Sequence, residues 1–201
     1  MVGGSNGPIV LDTERSDGAA LFAQQMAALL DVAQALRGEQ RAADTDSLTG
    51  LLNRRGFDDR LGEELARAER VGTPLAVVLV DCDDLKRIND TLGHDYGDEM
   101  LKAVGRLIRD GKRTGDLAAR IGGDEFALGL PTADLEAALA LAERIRHELA
   151  RHRANGTSTT ASFGIAVYPD DGITGAALLR AADRALYDAK LAGKDRLATT
   201  A

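Results

Sequence analysis

At 201 residues the chain has room for one generous domain, or for one domain with an extension. Hydrophobic residues make up 44% and charged residues 28%, enough for a real core, while aromatics at 3% leave Leu, Ala, Val and Ile to fill it. A net charge of −7 excludes broad electrostatic binding to nucleic acid or an anionic membrane and leaves only a local basic pocket for a small phosphate ligand. Cys82 is the sole cysteine, so no intramolecular disulfide can form, and a reducing compartment, the cytoplasm, is expected. No apolar run reaches the roughly 18 residues of a membrane span. The start "MVGGSNGPIV" lacks the basic head and apolar block of a secretory signal.

Residues 1–17, rich in Gly, Ser and Asp, read as a flexible lead-in, native or added, and residues 18–45 as a helix. Within it Phe22, Met26, Leu29, Ala33 and Leu36 are spaced four, three, four and three apart, the pattern of a coiled-coil seam. The same stripe also suits a helix packed on its own domain. "DSLTGLLNRRGFDDRL" is turn-rich and leads into a helix to about Arg70, with Asn53 as its N-cap. "PLAVVLVDCD" reads as a buried strand that ends in carboxylates. A short polar helix, "DDLKRINDTLG", a loop at "GHDYGD" and an amphipathic helix over 98–110 follow. "LAARI" and "FALGL" flank a double glycine and predict a β-hairpin, with Phe126, Leu128 and Leu130 on one face. A helix over 133–151, a strand in "TTASFGIAVYP" and a last helix over 175–192 complete the pattern. Strands alternate with helices, and the hairpin makes the sheet mixed.

Chemistry concentrates at two strand ends. Asp81 closes the buried strand, and Asp83 shares its direction if the strand persists that far. Asp124 and Glu125 follow the double glycine. Such carboxylates also serve as caps and turn formers. If the hairpin lies beside the Asp81 strand, however, the two clusters meet at one end of the sheet, and converging carboxylates repel unless a hard cation such as Mg²⁺ holds them.

Five stretches carry a resemblance. "GGDEF" at 122–126, "DSLTGLLNRR" at 46–55, "DCDDLKRINDTLGHDYGD" at 81–98, "ASFGIA" at 161–166 and "ALYDAKLAGKDR" at 185–196 stand in order and at suitable spacing. Over 46–201 the chain resembles the GGDEF family of diguanylate cyclases. The resemblance implies an α/β (α+β) fold with a mixed central sheet flanked by helices, similar to the palm of nucleotide cyclases and polymerases and here preceded by an N-terminal helix. It implies condensation of two GTP molecules into cyclic di-GMP with release of two pyrophosphates, each 3′-hydroxyl attacking the α-phosphate of the opposite nucleotide.

Carried onto this chain, the resemblance makes Asp81, the backbone carbonyl of Cys82 and the carboxylate of Asp124 metal ligands, with Glu125 joining for a second ion. The cofactor is Mg²⁺ or Mn²⁺, two per site. Asp124 also stands as general base toward the 3′-hydroxyl, although a metal-bound hydroxyl can equally lose its proton to water. Gly122 and Gly123 let the nucleotide approach the backbone. Asn89 and Asp98 read guanine, and His94 lies near the nucleotide or structures its loop. Lys86, Lys190 and the amides of Asp84 and Leu85 hold the phosphates, with Lys86 or Lys190 offsetting charge that develops during transfer. After Gly193 the family pattern is Arg then Asn, whereas this chain has Lys194 and Asp195; Lys194 keeps the phosphate-binding charge but loses the guanidinium fork. Leu52 stands where Pro is common.

Upstream of the glycines, Arg113 and Asp116 form an R-x-x-D pair in the register of the family's inhibitory product site, and Arg144 resembles the second arginine of such a site. A two-fold symmetric product made from one GTP per domain implies a homodimer, which the N-terminal helix would hold together while relaying a signal from an upstream sensor. The rival reading is a non-catalytic cyclic di-GMP receptor. It would retain Arg113 and Asp116 and tolerate loss of Asp81, Asn89, Asp124 or Glu125, yet all are present.

Overall fold

The structure, a computed structural model, describes residues 24–27, 29–30, 44–152 and 159–200. The chain divides into two units, Met1–Ala43 and Asp44–Ala201. In the first, residues 24–27 and 29–30 are helical, and the seam positions Met26 and Leu29 are 42% and 63% exposed. Phe22, Ala33, Leu36 and the lead-in over 1–17 lie outside the described residues.

The second unit runs α1 (Arg54–Val71), β1 (Leu75–Cys82), α2 (Leu85–Leu92), α3 (His94–Gly111), β2 (Leu117–Arg120), β3 (Glu125–Pro131), α4 (Leu135–Arg151), β4 (Ala161–Tyr168), α5 (Gly175–Leu191) and β5 (Leu197–Thr199). Its five strands lie in the order β2-β3-β1-β4-β5. Three neighbouring pairs are antiparallel, and β4–β5 alone is parallel. The sheet is therefore mixed, with β5 supplying its parallel strand pair.

Alternation along β1 divides the core. Every residue of β1 is buried. Ala76, Val78, Val80 and Cys82 pack among residues of α3 and α4 such as Val104, Ile108 and Ile145. Leu75, Val77 and Leu79 pack against α1 and α5 through Phe57, Leu61 and Leu178. Successive strand side chains face opposite ways, so Asp81 continues the α5-facing row. Among the described residues no helix is long and apolar enough to cross a membrane.

Local chemistry sets the boundaries. The Asn53 side chain accepts from Gly56 N at 3.0 Å, as the sequence predicts, and left-handed Gly72 (φ 73°) ends α1. Asp134 caps α4 in the same manner, accepting from Ala137 N at 2.9 Å. Residues 46–53 cover β2 through hydrogen bonds between Leu52 N and Ala118 O and between Arg120 N and Leu52 O.

Two expectations need correction. "GHDYGD" is not a loop: Gly93 (φ 93°) turns the chain between two helices, and α3 starts at His94. One left-handed glycine suffices for that turn, and Gly97 stands inside α3 for a different reason, given below. The three-residue β5, too short to show an alternation, lies beyond the last predicted helix.

Candidate active site

The hairpin and β1 bring the two acidic clusters together. Asp81 lies directly opposite Glu125 in the β1–β3 register, and Cys82 N donates to Asp124 O at 3.0 Å. Asp81 is 7% exposed. Lys190, in the last turn of α5, reaches it with Nζ 2.7 Å from Oδ2. Burial pushes the Asp81 carboxyl above its ordinary range, the Lys190 hydrogen bond and charge pull it back, and the charges of Asp124 and Glu125 push it up again. The charges of Asp124 and Glu125 thus reach the buried Asp81 and oppose its ionisation. Beside them, burial pushes the Cys82 thiol far up, so its side chain stays neutral and only its backbone is available to a hard cation.

Asp83 lies one residue past the end of β1, yet its carboxylate reaches Ser162, the residue paired with Asp81. The strand stops at Cys82, and the Asp83 carboxylate turns into a buried network. It accepts from Thr160 Oγ1 at 2.7 Å, Ser162 Oγ at 2.8 Å and Asp195 N at 3.1 Å. With its oxygens satisfied by hydroxyls and an amide, it ties β1 to β4 and to the turn after α5.

A second lysine bridges the same gap. Lys194 Nζ lies 2.7 Å from Asp84 Oδ1; this hydrogen bond lowers the Asp84 pKa and raises that of Lys194. Asp84, itself left-handed (φ 58°), stands at the N-cap of α2, whose first amides have no intrahelical partner. Two lysines at the end of α5 therefore face two aspartates at the end of β1, beside a helix N-terminus suited to anions.

The paired glycines separate into two roles. A Cβ on Gly122 would run into the Glu125 side chain, so this glycine lets the turn fold back on its own carboxylate. A Cβ on Gly123 would meet no atom within 4 Å. The turn is clamped by Arg120, which donates to Gly123 O from Nε at 3.2 Å and from Nη2 at 2.7 Å and pairs with Asp46 Oδ2 at 3.4 Å. Asp46 also accepts from Thr49 N at 2.9 Å and Oγ1 at 2.7 Å. The sequence does not single out Arg120. Its partner lies 74 residues away, and no local pattern announces such a pair.

Asn89 lies on α2, with its Oδ1 buried and unpartnered. A Cβ on Gly97 would collide with that oxygen, which is why a glycine occupies the middle of a helical turn there. Lys86, His94 and Asp98 are exposed on α2 and α3 and make no hydrogen bond or ion pair with the acidic cluster among the described residues. A cavity of about 570 Å³ between α1 and α5 reaches Glu125 and Phe126 and is floored by Leu61, Leu79 and Leu186.

At the opposite end of the hairpin Arg113, Asp116 and Arg144 line one cavity of about 170 Å³. Arg113 N donates to Asp116 Oδ2 at 2.7 Å, and Arg144 donates to Gly111 O. Among the described residues the Arg113 guanidinium has no partner.

Carboxylates at a sheet end, faced by lysines and a helix N-terminus, stand on a mixed sheet of the nucleotide-cyclase palm type. The chain belongs to the GGDEF family: residues 43–196 match the family described as "Diguanylate cyclase, GGDEF domain". It is 42% identical over 166 residues to diguanylate cyclase DgcP of Pseudomonas aeruginosa, covering 81% of this chain and 25% of that protein. It is 39% identical over 159 residues to response regulator PleD of Caulobacter vibrioides, covering 76% and 35%. The chain thus spans only about a quarter to a third of these relatives. Its fold matches the crystal structure of the coiled coil and GGDEF domain of DgcB from Caulobacter crescentus in complex with c-di-GMP. The TM-score is 0.81 at 32% identity, over 90% of this chain and 98% of that one.

Among the described residues no three His, Cys, Asp or Glu side chains already form a metal cage. The donor set nevertheless fits a hard divalent cation. Asp81 is buried beside the negative charges of Asp124 and Glu125, and carboxylate and carbonyl oxygens are what Mg²⁺ accepts.

Proposed function

We propose that the chain is a diguanylate cyclase, condensing two GTP molecules into cyclic di-GMP and two pyrophosphates. One observation carries the reading: Asp81 and Glu125 stand opposite each other with Asp124 beside them, and Lys190 of α5 and Lys194 of the turn after it close the same strand end. Membership of a diguanylate cyclase family supports it.

Asp81, Asp124, Glu125 and the carbonyl of Cys82 would hold Mg²⁺ or Mn²⁺, two per site. The ions would supply Lewis acidity at the α-phosphate and lower the pKa of the attacking hydroxyl. Asp124 accepts the proton of the 3′-hydroxyl. Lys190 and Lys194 exchange their aspartate partners for phosphate oxygens, and Lys190 or Lys86 offsets the charge gathering on the leaving pyrophosphate. The first amides of α2, at Asp84 and Leu85, receive the same phosphates. The Asn89 amide and the Asp98 carboxylate together complement the O6 acceptor and the N–H donors of the guanine edge, with His94 beside the nucleotide. Gly123, with open space above it, lets the nucleotide come close to the turn.

Two copies must face each other, because one site holds one GTP and the product contains two. The helix bearing Met26 and Leu29 joins them as a coiled coil and relays the state of an upstream sensor. Exposure of both residues supports this, as does a related structure described as a coiled coil with a GGDEF domain. Arg113, Asp116 and Arg144 bind cyclic di-GMP as an inhibitory site, since one cavity gathers an acceptor and two guanidinium groups suited to its phosphates and guanines.

Incubation with Mg²⁺ and GTP, ATP or both, followed by product identification, tests the reading. Cyclic di-GMP from GTP alone is expected, and no cyclic dinucleotide from any mixture would exclude a cyclase.

A further inference from the structure

Three successive residues after α5 have positive φ: Gly193 at 115°, Lys194 at 62° and Asp195 at 46°. Glycine adopts this region freely, but Lys and Asp do so at an energetic cost, so two in a row persist only where the surroundings hold them. Those surroundings converge on Asp195. Its N–H donates to the buried Asp83 carboxylate at 3.1 Å. Its side chain accepts from Arg146 Nη1 at 2.9 Å, and its carbonyl lies 3.4 Å from the same nitrogen.

Arg146 is itself fixed before it reaches the turn. Glu143, one helical turn earlier on α4, accepts from its Nε at 3.0 Å and its Nη2 at 2.7 Å. Its side chain is only 18% exposed, so these bonds are shielded more than those of an ordinary surface pair. A planar guanidinium held by a fork on one edge presents its remaining N–H groups in a fixed direction. The turn is therefore gripped from two sides, by α4 through Arg146 and by β1 through Asp83. Lys194 immediately precedes the gripped Asp195, and its ammonium reaches Asp84 at the start of α2.

We propose that Arg146 and Asp195 are positioning residues for nucleotide binding. Their ion pair locks the left-handed turn and thereby aims Lys194 at the N-terminus of α2, where the triphosphate binds. The inference rests on the reading of Lys194 as a phosphate ligand. Neither Arg146 nor Asp195 touches substrate. Without the lock the turn relaxes toward ordinary backbone angles and the Lys194 ammonium leaves the site. The lysine then has to be ordered by the nucleotide itself, at a cost in affinity.

The test is a binding cycle on the full chain with Mg²⁺ and a GTP analogue carrying a non-cleavable α,β-methylene bridge, read by titration calorimetry. Lys194→Ala should weaken the dissociation constant about tenfold, as expected for a lost charge-assisted contact. Arg146→Gln and Asp195→Ala should each weaken it by several-fold, and their combination by no more than either alone, because they act as one unit. In the Lys194→Ala background Arg146→Gln should have no further effect. A residue that only supports the fold would weaken binding again in that background, so full additivity overturns the proposal. Wild-type affinity in Arg146→Gln and in Asp195→Ala also overturns it while leaving the Lys194 reading intact. Wild-type affinity in Lys194→Ala removes the phosphate-ligand reading, and the positioning role falls with it.

Discussion

The two ends of the β2–β3 hairpin hold opposite charges in opposite states. At the glycine turn, carboxylates crowd until burial and mutual repulsion raise the Asp81 pKa, and lysines from α5 are drawn in to offset them. At the other end, arginines gather with one aspartate around a small cavity, and the Arg113 guanidinium has no partner among the described residues. The first end is a site that a cation and a polyphosphate would relieve, and the second is one that an anion would complete. Both lie on one hairpin, so the same strands that position the acids fix the distance to the arginines.

The comparison breaks most sharply at the acids. Asp124→Ala should lower the rate of cyclic di-GMP formation by about 10³-fold or more, in line with loss of a group acting on transition-state charge, with the melting temperature retained. Gly122→Ala should follow at about 10–100-fold, because its Cβ displaces Glu125 and misplaces the acids by a fraction of an ångström. Gly123→Ala separates the two glycines. No atom of the described residues lies within 4 Å of its Cβ, so thermal stability should be unchanged, and any rate loss measures how closely the nucleotide approaches. At the opposite end, Arg113→Ala should raise the cyclic di-GMP concentration needed for half-inhibition by about tenfold or more, measured by adding product to initial-rate assays.

The smallest effect distinguishes two aspartates of opposite sign. Burial opposes Asp46 ionisation, but hydrogen bonds from Thr49 and the charge of Arg120 outweigh it and hold its pKa below the ordinary 3.8. A lowered native pKa contributes stability that is present above the unfolded value and lost as pH falls through the native one. Asp46→Ala should therefore cost about 1 kcal/mol at neutral pH, and the difference from the unsubstituted chain should shrink on acidification below pH 3.8. Chemical denaturation at two pH values reads this directly.

Local pattern made much of this legible in the sequence. The apolar run before Asp81, the alternation after the double glycine and the Asn53 cap each have a period or a partner within a few residues, and all three stand in the structure. The R-x-x-D pair is equally local, and the structure adds Arg144 to its cavity. What the sequence concealed acts over long separations. Asp46 with Arg120 and Arg146 with Asp195 are ion pairs between distant segments, and neither residue differs locally from an ordinary surface charge. Asp83 reads from its neighbours as one more acid of the cluster, but its oxygens are taken up by Thr160, Ser162 and the amide of Asp195, the last 112 residues away. Gly97 misled by type, since a glycine among aspartates reads as a loop although here it makes room for Asn89 inside a helix.

The central claim is that the acid cluster exists for chemistry at a cost to the fold, and Asp81→Asn tests it in a single preparation. A raised native pKa means that ionised Asp81 destabilises the folded chain at neutral pH, an effect that disappears as pH falls below the unfolded value. Asp81→Asn should be more stable than the unsubstituted chain by about 1 kcal/mol at pH 7, lose that advantage in acid, and form no cyclic di-GMP from GTP and Mg²⁺. A variant that melts lower at pH 7, or one that still makes the product at an unreduced rate, would contradict the account.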